Sequence, residues 1–232
     1  LKQFGSEFID MFKQPVKWNT KDWLTLGGIA GGTIAFMQFD ESVRSETLKD
    51  RNYETSFPIV FGDTYGEGWG SLLIGTGFLA HGILKEKNAN KRFGFEVLQA
   101  FAYAGTITGL LKFTFGRSRP YMDEGAFSYH PVQMFSNDYF SFPSLHTTVA
   151  FSLSTVLSEQ TNSTALKIIS FVPAVMTAFA RVYYDKHWVS DVFLGAAVGY
   201  FVGKFVINQH KRENSDIRES SAQNYISILI PF

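Results

Sequence analysis

The chain has 232 residues, enough to bury a full core, and its 21 basic and 21 acidic residues cancel. Balanced charge disfavours nucleic acid as a partner, because such binders carry a basic stripe. The absence of cysteine excludes disulfides, thiolate catalysis and thiolate metal sites. Charged residues make up 18% of the chain and 24 residues are phenylalanine, a composition that suits either a surface meeting lipid or a core rich in aromatics. The chain opens at Leu1 with no methionine and no basic-then-apolar leader, and the expectation is a precursor whose signal peptide has been removed.

In chain order, Phe4-x-x-x-Phe8-Ile9-x-x-Phe12 predicts an amphipathic helix closed by Pro15. Apolar helical stretches follow at Trp23–Phe39, Trp69–Leu84, Val97–Leu111, Thr147–Leu157, Ile168–Ala180 and Val192–Gly203, divided by polar, Gly- or Pro-bearing connections. Thr20, Asn90 and Ser190 or Asp191 stand where N-caps are useful, and Pro173 is expected to bend the fifth helix. The segment from Tyr121 to Phe142 lacks a period, and loops of this length are often functional. A charged segment, His210 to Asn224, precedes the apolar run from Tyr225 to Ile230, read as a strand or a docked tail. The prediction is all-α: one domain over 1–232, a single bundle of about six core helices with an amphipathic N-terminal segment (1–19) and a polar C-terminal tail (207–232).

Spacings such as Gly27-x-x-x-Gly31, Gly105-x-x-x-Gly109 and Gly195-x-x-x-Gly199-x-x-x-Gly203 let helices approach closely and are frequent in membrane bundles. The apolar runs nevertheless fall short of the ~20 residues that a span requires. A soluble or peripherally attached protein is therefore expected over a multi-pass one.

Three short runs carry the chemistry. Lys112 ends a helical pattern and Arg119 precedes Pro120, which forces it away from helix. A guanidinium fork and an ammonium together suit a phosphate, although either alone is also what an ordinary surface cation looks like. Arg117, between them, reads as surface. Pro143-Ser144-Leu145-His146 opens a helix whose free N–H groups and positive dipole end favour an anion. Ser144 adds a hydroxyl, and His146 is placed to protonate a leaving group or simply to cap or pack. Arg181 closes the fifth helix, and His187 and Asp191 stand four apart. A carboxylate on one ring nitrogen leaves the other free as nucleophile or base, though Asp191 also suits an N-cap. Asp185 and Lys186 read as a solvated turn, His81 as core and His210 as surface.

Taken together, these runs resemble the signature of the type 2 phosphatidic acid phosphatase superfamily, which also holds bacterial acid phosphatases and vanadium haloperoxidases. That signature is Lys-x6-Arg-Pro, Pro-Ser-Gly-His and Ser-Arg-x5-His-x3-Asp. Lys112, Arg119, Pro120, Pro143, Ser144, His146, Arg181, His187 and Asp191 match it, while Leu145 stands at the family's glycine and Ala180 at its serine. The resemblance implies a metal-independent phosphatase needing no cofactor. His187 would attack phosphorus to form a phosphohistidine, with Asp191 supporting the ring and His146 acting as acid and then base. Lys112, Arg119, Ser144 and Arg181 would hold the phosphate oxygens. It also implies a bacterial envelope protein on the periplasmic side, acting on a phosphorylated lipid or a small phosphoester and touching the membrane surface. The rivals are a soluble periplasmic acid phosphatase, a vanadate-dependent haloperoxidase and a non-catalytic phosphate binder. Tyr121, Phe127, Tyr129, His130, Phe135, Tyr139 and Phe140 suggest an apolar substrate entrance, with Tyr121 and His130 nearest the pocket, or else a loop packed on the core.

Overall fold

A computed structural model describes residues 2–132 and 136–229, and side chains within 5–132 and 136–212. Phe135 of the loop and the last residues of the C-terminal run, 230–232, lie outside the described residues. The described part is all-α, with α1 (Lys2–Lys13), α2 (Thr20–Met37), α3 (Asp40–Lys49), α4 (Phe57–Gly66), α5 (Trp69–Leu84), α6 (Asn88–Phe115), α7 (Leu145–Ser158), α8 (Thr164–Ile169), α9 (Val172–Tyr183) and α10 (Val189–Leu229).

α7 is the bundle's axis, packed against α4, α6, α9 and α10. Val97, Ala100, Tyr103 and Ala104 of α6 meet Leu153 and Val156 of α7, and Val202, Val206 and Ile207 of α10, in one buried cluster. Along α10, Gly195, Gly199 and Gly203 all press on α7. A Cβ at Gly195 would lie 2.7 Å from the Ser144 carbonyl, and one at Gly203 would lie 2.7 Å from Thr155 Cβ. The other predicted glycine pairs behave differently, since Gly27, Gly31, Gly105 and Gly109 have no neighbour within 4 Å of an added Cβ.

Local chemistry sets the boundaries. Asn19, one residue before the predicted Thr20, caps α2 in a reciprocal box with Asp22, at 3.2 and 3.0 Å. α6 starts at Asn88, and Asn90 instead bonds the ring of His81. Pro173 stands in the first turn of α9, so the predicted fifth helix is two helices joined at Ser170 and Phe171. α3 and α4 were not foreseen; in α3, Val43 and Leu48 are the apolar residues and set no apolar period. The C-terminal segment is neither strand nor separate tail as far as Leu229; it continues α10.

Four burial expectations are corrected. His81 is exposed, whereas His210 is buried and bonded to Gln99 at 2.8 Å. Asp185 is buried, held by the Arg44 guanidinium through bonds of 2.8 and 2.9 Å. Arg117 is wholly buried.

The expectation of a soluble or peripheral protein is also overturned. Thr164–Tyr183 (20 residues) and Val189–Arg212 (24 residues) are long and apolar enough to cross a membrane. The first cannot be a soluble core helix pair, because Ile168, Ile169, Val172, Val175 and Phe179 face outward. So do Trp23, Leu24 and Ile34 of α2 and Trp69, Leu73 and Leu84 of α5. Apolar surface on this scale suits lipid, not water. Ending the runs at charged residues had shortened the spans, since Lys167 and Lys204 fall inside them. These segments and exposed faces fit a protein set in a membrane and overturn the expectation of a soluble or peripheral one.

Candidate active site

Each motif sits at the end of a helix. Lys112 lies in the last turn of α6, which stops at Gly116 (φ 57°), whose N–H returns to the Lys112 carbonyl at 2.8 Å. The chain then runs extended, with Ser118 N bonding Ser128 O, Arg119 N bonding Asp138 O, and Ser141 N bonding Arg117 O. The long loop is thus stitched to the first motif.

Ser144 caps α7, its Oγ accepting from Thr147 N at 3.4 Å, while its own N–H donates to the Asp191 carbonyl at 3.0 Å. That bond joins the second motif to the third. After α9, a turn with Asp185 at φ 58° lets the N–H groups of Lys186 and His187 both return to the Arg181 carbonyl. Asp191 lies in the first turn of α10, where its Oδ2 accepts from Trp188 N at 2.9 Å.

The structure brings Lys112, Arg119, Ser144, His146, Arg181, His187 and Asp191 to one end of the bundle. All but His146 are buried. Lys112 Nζ donates only to main-chain carbonyls, those of Phe140 and Ser141. Arg119 is held by the Asn137 carbonyl and side chain, each at 2.8 Å. Arg181 pairs with Asp63 at 2.5 Å, and its Nε is buried with no partner. Cations left this short of carboxylates, one with a spare buried N–H, form a cradle that an anion would complete.

His187 Nδ1 lies 3.4 Å from Asp191 Oδ2. This contact is loose because the same oxygen already accepts from Ser141 Oγ at 2.5 Å and from Trp188 N. Burial, helped by the charges of Lys112 and Arg119, holds the His187 ring well below its usual pKa, against the pull of Asp191. This shift favours the neutral form of the ring. Burial, with Arg181, Lys112 and Arg119, likewise pushes His146 down to about 4, although Asp63 opposes this. Beside His146 opens a groove of about 480 Å³, lined by Gly66, Phe101, Gly105, Thr106, Leu145 and Val149. Leu145 therefore points into an apolar space, not into the cationic cradle.

Tyr121 and His130 make no side-chain hydrogen bond to this set among the described residues. The Tyr121 hydroxyl donates to Asp138 at 2.8 Å, the Lys186 ammonium lies 4.8 Å from its ring centre, and Tyr121 and Arg119 are close enough to interact electrostatically. The His130 side chain contacts Glu124 at 3.0 Å, Ser128 at 3.1 Å and the Tyr139 ring. Its N–H donates to the carbonyl of Gly116, inside the first motif run, at 2.6 Å. Sequence reasoning read Arg117, inside the first motif run, as a surface cation, and it missed Ser141, Asp40 and Asp63, which lie outside the motifs.

Residues 93–215 match the family model of the PAP2 superfamily. The chain belongs to the PAP2 superfamily. It is 33% identical over 105 residues to a lipid A 1-phosphatase of Porphyromonas gingivalis, a match covering 44% of this chain and 20% of that protein. The chain thus spans about a fifth of that relative's length. Among solved structures it is similar to Aquifex aeolicus LpxE, with a TM-score of 0.53 at 24% identity over 72% of this chain and 93% of the other. That likeness is one of fold. A transmembrane PAP2-type phosphatidylglycerolphosphate phosphatase from Bacillus subtilis gives a TM-score of 0.42 at 20% identity, over 78% and 96% of the two chains. The expected soluble or peripheral periplasmic location is overturned by the two segments long and apolar enough to cross a membrane.

Proposed function

We propose that this protein is a metal-independent phosphatase that removes phosphate from a phosphorylated lipid through a phosphohistidine on His187. The observation that carries the reading is a buried His–Asp pair beside three cations from three separate segments, with a neutral ring ready to attack. His187 Nε2 forms a bond to phosphorus as the P–O bond to the lipid breaks. His146 gives the departing oxygen a proton, then takes one from the water that frees inorganic phosphate. Lys112, Arg119, Arg181 and the N–H groups behind Ser144 stabilise the charge that spreads over the phosphoryl oxygens. As positive charge builds on His187, its contact with Asp191 tightens.

Lipid is favoured over a small phosphoester by the groove that adjoins His146 and by the apolar exterior into which a lipid would diffuse. The name of the Porphyromonas relative makes lipid A phosphates the first class to test.

The test is phosphate release by detergent-purified protein from lipid phosphates and from an aryl phosphate, with and without EDTA. Acid-labile ³²P labelling of the wild type and of His187→Ala accompanies it. Release from lipid, indifference to EDTA, inhibition by vanadate, and a label lost in His187→Ala are expected. A folded His187→Ala variant with full activity would overturn the nucleophile assignment.

A further inference from the structure

The Arg117 guanidinium makes five hydrogen bonds, and its partners point to a purpose. It is wholly buried, as are Asp40 and Asp191 on either side of it. Nη2 donates to Asp40 Oδ2 at 2.7 Å, and Nη1 donates to Asp191 Oδ1 and to Ser190 Oγ, each at 2.7 Å. Nε and Nη2 both bond the Ala126 carbonyl. The rings of Trp188, Phe142 and Tyr129 stand 5.5 to 5.8 Å from the guanidinium carbon. Asp40 is equally fixed, accepting from Ser190 N at 2.9 Å and Ser190 Oγ at 2.6 Å. It comes from α3, well before the region that matches the family model.

Charge explains the arrangement. Arg117 on Asp191 alone would make a neutral pair, and Asp191 would offer His187 little net field. With Asp40 on its far side, Arg117 is already neutralised, and the trio carries one net negative charge facing the imidazole. A developing positive charge on His187 needs that field, and a dry site makes it strong.

We infer that Asp40 is a positioning residue for the proposed reaction: it balances Arg117 so that the charge of Asp191 remains available to His187. The inference rests on the nucleophile reading above. Arg117 in turn holds the Asp191 carboxylate through Oδ1, so that Oδ2, which also accepts from Ser141 and Trp188, is the oxygen nearest His187.

The test compares wild type, Asp40→Asn, and the charge-neutral double variant Asp40→Asn/Arg117→Met in detergent. It measures kcat, KM and the quenched-flow rate of phosphohistidine formation per folded site. Asp40→Asn is expected to slow phosphohistidine formation and kcat by about tenfold or more with KM within about threefold, a split that marks loss of transition-state support. The double variant should recover most of that loss, because Asp191 is again unbalanced in favour of His187. A purely structural Asp40 would lower the yield of folded protein and the melting temperature while leaving the rate per folded site unchanged. That result, or a folded double variant no faster than the single one, would overturn the inference. Should Asp40→Asn fail to fold, the double variant is compared with wild type directly. A rate within about tenfold supports the inference, and a loss as deep as that of His187→Ala overturns it. Wild-type protein that forms no phosphohistidine would instead overturn the nucleophile reading.

Discussion

Lowering the pH should destabilise this protein through one identifiable imidazole. His146 is pushed from 6.5 to about 4 by burial and by the cations Arg181, Lys112 and Arg119. Between these values the unfolded chain binds a proton at this position that the folded one refuses. The stability due to neutral His146 is therefore complete above pH 6.5 and is lost as pH falls toward 4. A depression of this size is worth on the order of 3 kcal/mol, at about 1.4 kcal/mol per pKa unit. Tryptophan-fluorescence melts of the detergent-solubilised protein from pH 8 to 4.5 measure it, with His146→Gln as the partner curve. The wild-type melting temperature should fall more steeply than that of His146→Gln, because groups common to both cancel. Saturating phosphate should flatten the wild-type curve, since a bound anion offsets the surrounding cations and lets the ring accept a proton. Parallel curves for the two proteins across this range would refute the account of how the site depresses His146.

Further outcomes follow from packing and charge. Gly199→Ala places a Cβ against the Thr148 carbonyl, Phe151 Cβ and Ser152 N of α7. It should cost about 1–3 kcal/mol and reduce activity by parting the helices that carry His146 and Asp191. Gly109→Ala meets nothing within 4 Å, so melts of the two variants separate the effect of contact from that of glycine itself. Leu145→Gly removes an apolar wall of the groove beside His146. KM for a lipid phosphate should rise by up to about tenfold, as expected for roughly 1.4 kcal/mol of lost burial, with an aryl phosphate little affected. An unchanged ratio between the two substrates would dissociate Leu145 from selectivity. Asp63→Asn frees Arg181 from its ion pair and should tighten product inhibition by inorganic phosphate several-fold. A weaker inhibition constant would mean that Asp63 orients Arg181 instead of competing for it.

The catalytic groups were legible because their chemistry is confined to short runs whose internal spacing the fold must respect. Lys112 and Arg119 are linked by one helix end, and Arg181, His187 and Asp191 by one turn. The supporting groups were not legible. Arg117 stands two residues from a motif arginine, and nothing local distinguishes a buried guanidinium from a solvated one. Its partner Asp40 lies 77 positions away on a helix with no apolar period. Asp185 and His210 misled for the same reason: their burial is decided by Arg44 and Gln99, residues that only the tertiary fold brings near. The glycine spacings identified the α10–α7 contact correctly, but gave the same signal at Gly105 and Gly109, where no helix follows up the invitation. Span length failed because each span carries charged residues, Lys167 and Lys204 among them, and a count of apolar runs stops there.

An exterior this apolar makes the charge balance inside the bundle a strong constraint, because unbalanced charge in a dry site is costly. Four basic side chains, Lys112, Arg117, Arg119 and Arg181, stand among three carboxylates, Asp40, Asp63 and Asp191. Burial, with the neighbouring Arg119 and Arg181, lowers the Lys112 ammonium to about 7, and burial with Arg181, Lys112 and Arg119 lowers the His146 ring to about 4. An anion held between these groups would favour the charged form of both. On the proposed mechanism, a phosphate dianion would therefore help to protonate the general acid that its departing oxygen needs, and a neutral ester would not.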